Sequence, residues 1–240
     1  MKIMYVTHGY PLGSQAGVEV YTASLAKAIG RRNTVNVFCR HDDLHVPEYQ
    51  ITSRKDGAVN IYSLNNTFRQ WDSFGCTYQD QRIAESFGRV LDLNKPDIVH
   101  IQSLLYLSAE IAAEAERRGI PVLFTLNDYW LMCPQGQRFR NDYTVCHDVG
   151  MLECISCVRY QLSIRKNVSS IYKFIRLNLP EWLFHAVKDV YMVVAAHTFM
   201  KEARSRQYLT ERHIYMKDLC AHIDCFTAPS HFMKRAFIEY

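Results

Sequence analysis

The chain has 240 residues, of which 48% are apolar, 22% charged and 12% aromatic. That composition excludes a disordered or collagen-like chain. The net charge of +4 and the lack of any recognisable motif exclude a nucleic-acid binder. The charge is uneven: from Val158 to Asp218 eleven Lys/Arg face five Asp/Glu, giving +6 there and leaving −2 elsewhere. No apolar stretch approaches the ~20 residues that span a bilayer. Met1 to His8 is too short and too abruptly ended to be a signal peptide, so a cytoplasmic location is expected.

In chain order, Lys2 to Thr7 reads as a buried strand and Gly9 to Gly17 as a glycine-rich loop. Val18, Tyr21, Leu25 and Ile29 then recur at helical spacing, stopped by Gly30. Val35 to Cys39 and Val59 to Leu64 read as strands, Ile83 to Leu93 as a helix, and Asp97 to Ile101 as a strand. Leu105 to Arg118 is expected to be a helix, and Pro121 to Leu126 a strand opened by a proline that needs no N–H there. Residues 127–160 read as a long cysteine-rich loop and residues 161–218 as a mostly helical segment broken at Pro180. His222 to Pro229 is a last strand, and Ser230 caps a helix still running at Tyr240. The alternation predicts a Rossmann-like α/β fold: an open parallel sheet with helices on both faces, spanning residues 1–240 as one unit.

Three features could carry chemistry. The Gly9–Gly17 loop would lie at the carboxyl edge of the sheet, where a helix N-terminus offers N–H groups to a phosphate and Gly13 and Gly17 permit close approach. Its spacing is not Gly-x-Gly-x-x-Gly, so a nicotinamide or flavin is not expected. His8, His100 and Asp128 fall at strand ends on that same edge. Cys133, Cys146, Cys154 and Cys157 place four thiols within 25 residues, two of them as C-x-x-C, which suits a structural zinc with His147 as a spare ligand. Reduced cysteines packing the loop, a redox disulfide or an iron–sulfur cluster are the alternatives. The basic segment could lie on anionic lipid, giving peripheral contact with the inner face of a membrane, or could pack on the sheet with a solvated basic face.

The opening Lys2-Ile-Met-Tyr-Val-Thr-His-Gly-Tyr-Pro, with Ala16-Gly17-Val18-Glu19-Val20-Tyr21-Thr22, resembles the start of group 4-type retaining glycosyltransferases of GT-B fold. Lys95-Pro96-Asp97-Ile98-Val99-His100, Ile120-Pro121-Val122, Thr125-Leu126-Asn127-Asp128-Tyr129-Trp130-Leu131-Met132-Cys133-Pro134 and Thr227-Ala228-Pro229-Ser230 follow in that family's order. Two positions depart from the pattern: Ala16 stands where Gly is usual, and Asn127 where the family has His. The resemblance implies an N-terminal, acceptor-side domain that helps move a sugar from a nucleotide sugar to a glycan or lipid-linked acceptor in polysaccharide or glycoconjugate synthesis. It assigns Gly13, Gly17 and Glu19 to the substrate-binding loop, His8 and His100 to the binding edge, and Asn127 and Asp128 to the transferring sugar or acceptor. It also implies a C-terminal donor-binding domain, absent after Tyr240, so that activity would need a separately supplied half. Tyr129 and Trp130 are expected at the exposed interface with that half. A non-catalytic binding remnant with a structural zinc site is the alternative reading.

Overall fold

The structure is a computed structural model that describes residues 1–11, 16–140, 143–147, 151–162, 178–180, 183, 187, 190 and 202–240. Within these residues the chain runs β1 (Lys2–Thr7), α1 (Gly17–Ile29), β2 (Thr34–His41), β3 (Ile51–Asp56), β4 (Val59–Asn65), a 3₁₀ turn (Phe74–Thr77), α2 (Gln81–Asn94) and β5 (Ile98–Ile101). It continues through α3 (Glu110–Glu116), β6 (Val122–Thr125), α4 (Met151–Leu162), α5 (Glu202–Cys220), β7 (Cys225–Thr227) and α6 (His231–Ile238).

Seven strands form one sheet in the order β3-β4-β2-β1-β5-β6-β7. All neighbours are parallel except β3 against β4. The period of two along β1 divides the core. Met4 and Val6 point to one face with Phe38, Leu64, Phe87 and Leu104; Ile3 and Tyr5 point to the other with Ala23, Ala26, Val35 and Ile61. Both faces of the central strands are therefore buried, which is why they read as apolar runs rather than alternating ones. Helix α1 covers the second face, while α2, α3 and α5 join the larger core on the first.

Asp80 caps α2 by accepting from the Arg82 amide at 3.1 Å. Ser230 caps α6 by accepting from the Met233 amide at 3.2 Å, and that helix ends at Ile238. Two elements were not expected from the sequence. The polar stretch Ile51–Asp56 is a strand, and Met151–Leu162, inside the expected loop, is a helix. Most of residues 163–201, including nearly all of the basic helical segment before Lys201, lies outside the described residues. No helix among the described residues is long and apolar enough to cross a membrane.

Candidate functional site

β1 sits between β2 and β5. The chain leaves β1 toward β2 on one side, and β5 enters on the other, so a crevice opens beyond the carboxyl end of β1. His8, Gly9 and Tyr10 leave the sheet at that point. A cleft of about 550 Å³ opens there, lined among others by His8, Gly9, Glu19, Arg40, Arg54 and Tyr106.

Glu19, in the first turn of α1, is buried at 2% exposure. Its Oε2 accepts from the Ala16 amide at 3.2 Å, and its Oε1 lies 3.3 Å from His8 Nε2. The side chain passes directly over Gly9, where an added Cβ would lie 2.0 Å from Glu19 Oε1. Glycine at position 9 is thus required by close approach. Burial pushes the His8 pKa down, against the upward pull of Glu19 and Asp128 and with a further downward push from Arg40. Nε2 of the ring faces the Glu19 carboxylate, and Nδ1 is buried without a hydrogen-bond partner.

Arg40, at the end of β2, is held more firmly than any sequence motif suggests. Its Nε donates to the Asn66 carbonyl at 2.7 Å, and Nη2 pairs with Asp42 at 3.1 Å. The guanidinium lies 4.3 Å from the Phe68 ring centroid and 5.4 Å from that of Tyr106. Phe68 and Tyr106 both have left-handed backbones, at φ 65° and 62°. Bulky residues pay for that conformation, and such strain collects at ligand clamps. No motif in the sequence pointed to this group, because it draws on three separate segments.

Asn127 and Asp128 follow β6 on the same edge. Asp128 Oδ1 accepts from the Trp130 amide at 2.9 Å, and Oδ2 accepts from Ser103 Oγ at 2.7 Å. Burial raises its pKa, while these two hydrogen bonds and the neighbouring His8 and Arg212 pull it down. Asn127 donates from Nδ2 to the carbonyl and to the side-chain oxygen of Gln102, at 3.1 and 2.9 Å. The structure therefore gathers His8, Glu19 and Asp128 at one place, with Asn127 beside them.

His100 is a different matter. It lies within β5, and Nε2 is 2.8 Å from both Thr125 Oγ1 and Gln102 Nε2. It does not line the cleft among the described residues; it is a bonded residue of the sheet. Burial pushes its pKa down to about 4. A histidine kept neutral in the fold but free to protonate when unfolded weakens the fold as pH falls. Stability is expected to decline from about pH 6.5 toward pH 4 and to level off below. His100→Gln is expected to flatten that limb, as read by urea unfolding across this range.

Gly13 lies outside the described residues. Gly17 is the first residue of α1, and an added Cβ there would meet nothing within 4 Å. The glycine is not demanded by packing. Ala16 is extended, at φ −69° and ψ 152°, so the family glycine's positive φ is not needed here.

The zinc expectation is not met by the placement of the cysteines. Cys133, Cys146 and Cys157 lie close enough to Cys154 to add to the rise of its pKa. Even so, among the described residues no group of three or more His, Cys, Asp or Glu is arranged to hold a metal ion. The C-x-x-C lies along α4, one helical turn apart. Burial, before anything else, pushes the Cys154 thiol up to about 12 and so favours the protonated form. The expectation of an exposed Trp130 is also corrected. Trp130 is 2% exposed, because it packs into the main core under Arg212. Tyr129 is half-buried and stacks on Phe237 at 6.1 Å.

Comparison with curated protein sequences found no match. Among solved structures, the chain is similar to trehalose-6-phosphate synthase OtsA, with 16% identity over 65% of this chain and 39% of that one, at a TM-score of 0.40. It is also similar to an alpha,alpha-trehalose-phosphate synthase (UDP-forming) from Burkholderia vietnamiensis, with 18% identity over 52% and 32% of the chains and a TM-score of 0.37. An E. coli structure described as trehalose-6-phosphate bound with UDP-2-fluoro glucose gives 16% identity over 52% and 32%, at 0.32. The chain thus spans about a third of the length of these structures. A family model described as the glycosyl transferase 4-like domain matches residues 16–148. That match runs from the foot of α1 through Asn127, Asp128 and the first two loop cysteines, over more than half of the chain, and the chain belongs to the glycosyl transferase 4-like domain family.

Proposed function

We propose that the chain is the acceptor-side half of a sugar-nucleotide-dependent glycosyltransferase. It would act with a second, donor-binding lobe on a glycan or lipid-linked acceptor, at the cytoplasmic face of a membrane. The observation that carries this reading is the close approach of His8 and Glu19 in the lining of the crevice, with the buried Asp128 near enough to act on His8. His8 Nε2 faces Glu19, and Nδ1 is left to accept a hydrogen bond from an acceptor hydroxyl. Asp128, held by Ser103 and the Trp130 amide, supplies the carboxylate that orients that hydroxyl or takes its proton. The positive N-terminal end of α1, which begins at Gly17, receives the donor phosphates.

The test is sugar transfer from a panel of nucleotide sugars to glycan acceptors, by the chain alone and mixed with a donor-binding lobe. Transfer is expected only in the mixture, and Asp128→Asn is expected to reduce its turnover by about 100-fold or more. Turnover by the 240-residue chain alone, or turnover that ignores Asp128→Asn, would overturn the reading. One observation favours a second reading, a chain that binds without transferring: Asn127 cannot titrate, and its amide is spent on Gln102. Acceptor binding without transfer in either condition would select it.

A further inference from the structure

Arg212 of α5 is 3% exposed and lies far from the cleft residues in sequence. Its Nη2 donates to the Trp130 carbonyl, and the guanidinium lies 5.2 Å from the Trp130 ring and 5.9 Å from that of Tyr78. No carboxylate pairs with it among the described residues. Cys133, Cys154, Tyr78 and Tyr240 surround it, and the buried Asp128 carboxylate acts on it without forming an ion pair. A buried cation without an anion is costly, and proteins pair such charges. Here the guanidinium lines a cavity of about 250 Å³, together with Met132, Pro134, Cys154, His213 and Tyr240. His213 Nδ1 and the Tyr240 hydroxyl lie 2.7 Å apart, adding polar groups to the lining.

We propose that this cavity binds a small oxyanion, a phosphate, sulfate or carboxylate group, on the Arg212 guanidinium. The planar guanidinium presents paired N–H donors that match an oxyanion, and the aromatic faces hold it flat. Met132 and Pro134 add an apolar wall. Tyr240 adds a neutral hydroxyl donor. The site stands apart from the transferase reading and does not depend on it.

The test titrates the purified chain with inorganic phosphate and, separately, glycerol 3-phosphate at constant ionic strength set by chloride. Binding is read by ³¹P line shape and by melting temperature. A saturable response to phosphate with none to chloride is expected, since a ligand that binds the folded state stabilises it. A response to both phosphates assigns the site to a phosphoryl group of a larger molecule; a response to inorganic phosphate alone assigns it to the free ion. Arg212→Met keeps the volume and removes the charge, so it is expected to fold and to bind about 10-fold more weakly or worse. Tyr240→Phe, at a half-exposed position, is expected to weaken binding several-fold without unfolding and serves where Arg212→Met does not fold. A wild-type response equal to the chloride control would overturn the proposal. So would one zinc per chain with all four loop cysteines unreactive, because thiolates would then neutralise Arg212.

Discussion

Trp130→Ala is expected to lower folding stability by about 3–5 kcal/mol, the usual range for truncating a buried tryptophan. The indole packs in the main core and against the Arg212 guanidinium. The backbone amide and carbonyl, which bond Asp128 and Arg212, are kept in the variant, so the cost falls on the ring. Removing the ring leaves a cavity under a buried guanidinium, which also loses one of its two aromatic faces. Urea unfolding read by circular dichroism separates the two meanings of this residue. A midpoint that falls steeply with an unchanged m-value marks a core residue. A change within about 0.5 kcal/mol would mark a surface one and would restore Trp130 to the interface that the sequence suggested.

Gly9→Ala is expected to be costly for a reason that a second mutation can expose. The new methyl group must displace Glu19 Oε1, which would otherwise lie 2.0 Å away. Glu19 sits at the far end of a flexible side chain, so it moves rather than the backbone. Moving it forfeits both the Ala16 amide and His8 and leaves a carboxylate poorly paired beneath the surface. The cost is expected to be about 1–3 kcal/mol. Glu19→Ala alone is expected to cost a similar amount. The double variant has nothing left to clash, so it is expected to cost no more than Glu19→Ala. The cycle then shows a coupling of about 1–3 kcal/mol, and additive costs would show that Gly9 serves the turn rather than the carboxylate.

Much of this arrangement was legible in the residues. β1 occupies Lys2–Thr7 as its apolar run indicates, and the caps at Gly30 and Ser230 stand where the punctuation puts them. β3 was not legible from pattern, because Ile51-Thr-Ser-Arg-Lys-Asp56 holds one apolar residue in six. It is a strand because β4 pairs with it through a two-residue turn, and Asp56-Gly57, with Gly57 at φ 61°, was the signal for that hairpin. α4 was hidden by its cysteines and by the polar residues before it, which read as loop chemistry. α3 is shorter than its apolar spacing suggests, because Leu104 to Ala109 turn before the helix begins. At the site, His8, Glu19 and Asp128 could be named from strand ends and the family pattern. Arg40, Phe68 and Tyr106 could not, since they come from three separate segments that meet only in the folded chain.

The last strand joins its neighbour across a gap of 102 positions. Thr125 Oγ1 lies 2.8 Å from Thr227 Oγ1, and the Val122 amide donates to Asp224 at 2.7 Å. Everything between, from the cysteines to the end of α5, is an excursion that leaves the sheet beside β6 and returns beside it. Closing a detour of that size adds only about 0.6 kcal/mol over one half as long. The entropy of closure is therefore a minor term. What fixes the two ends of the excursion is packing, since Trp130 at its start and Leu209, Met216 and Leu219 of α5 near its end lie in the main core. During synthesis, β6 must wait with an open edge while those hundred-odd residues are made before β7 arrives to close it.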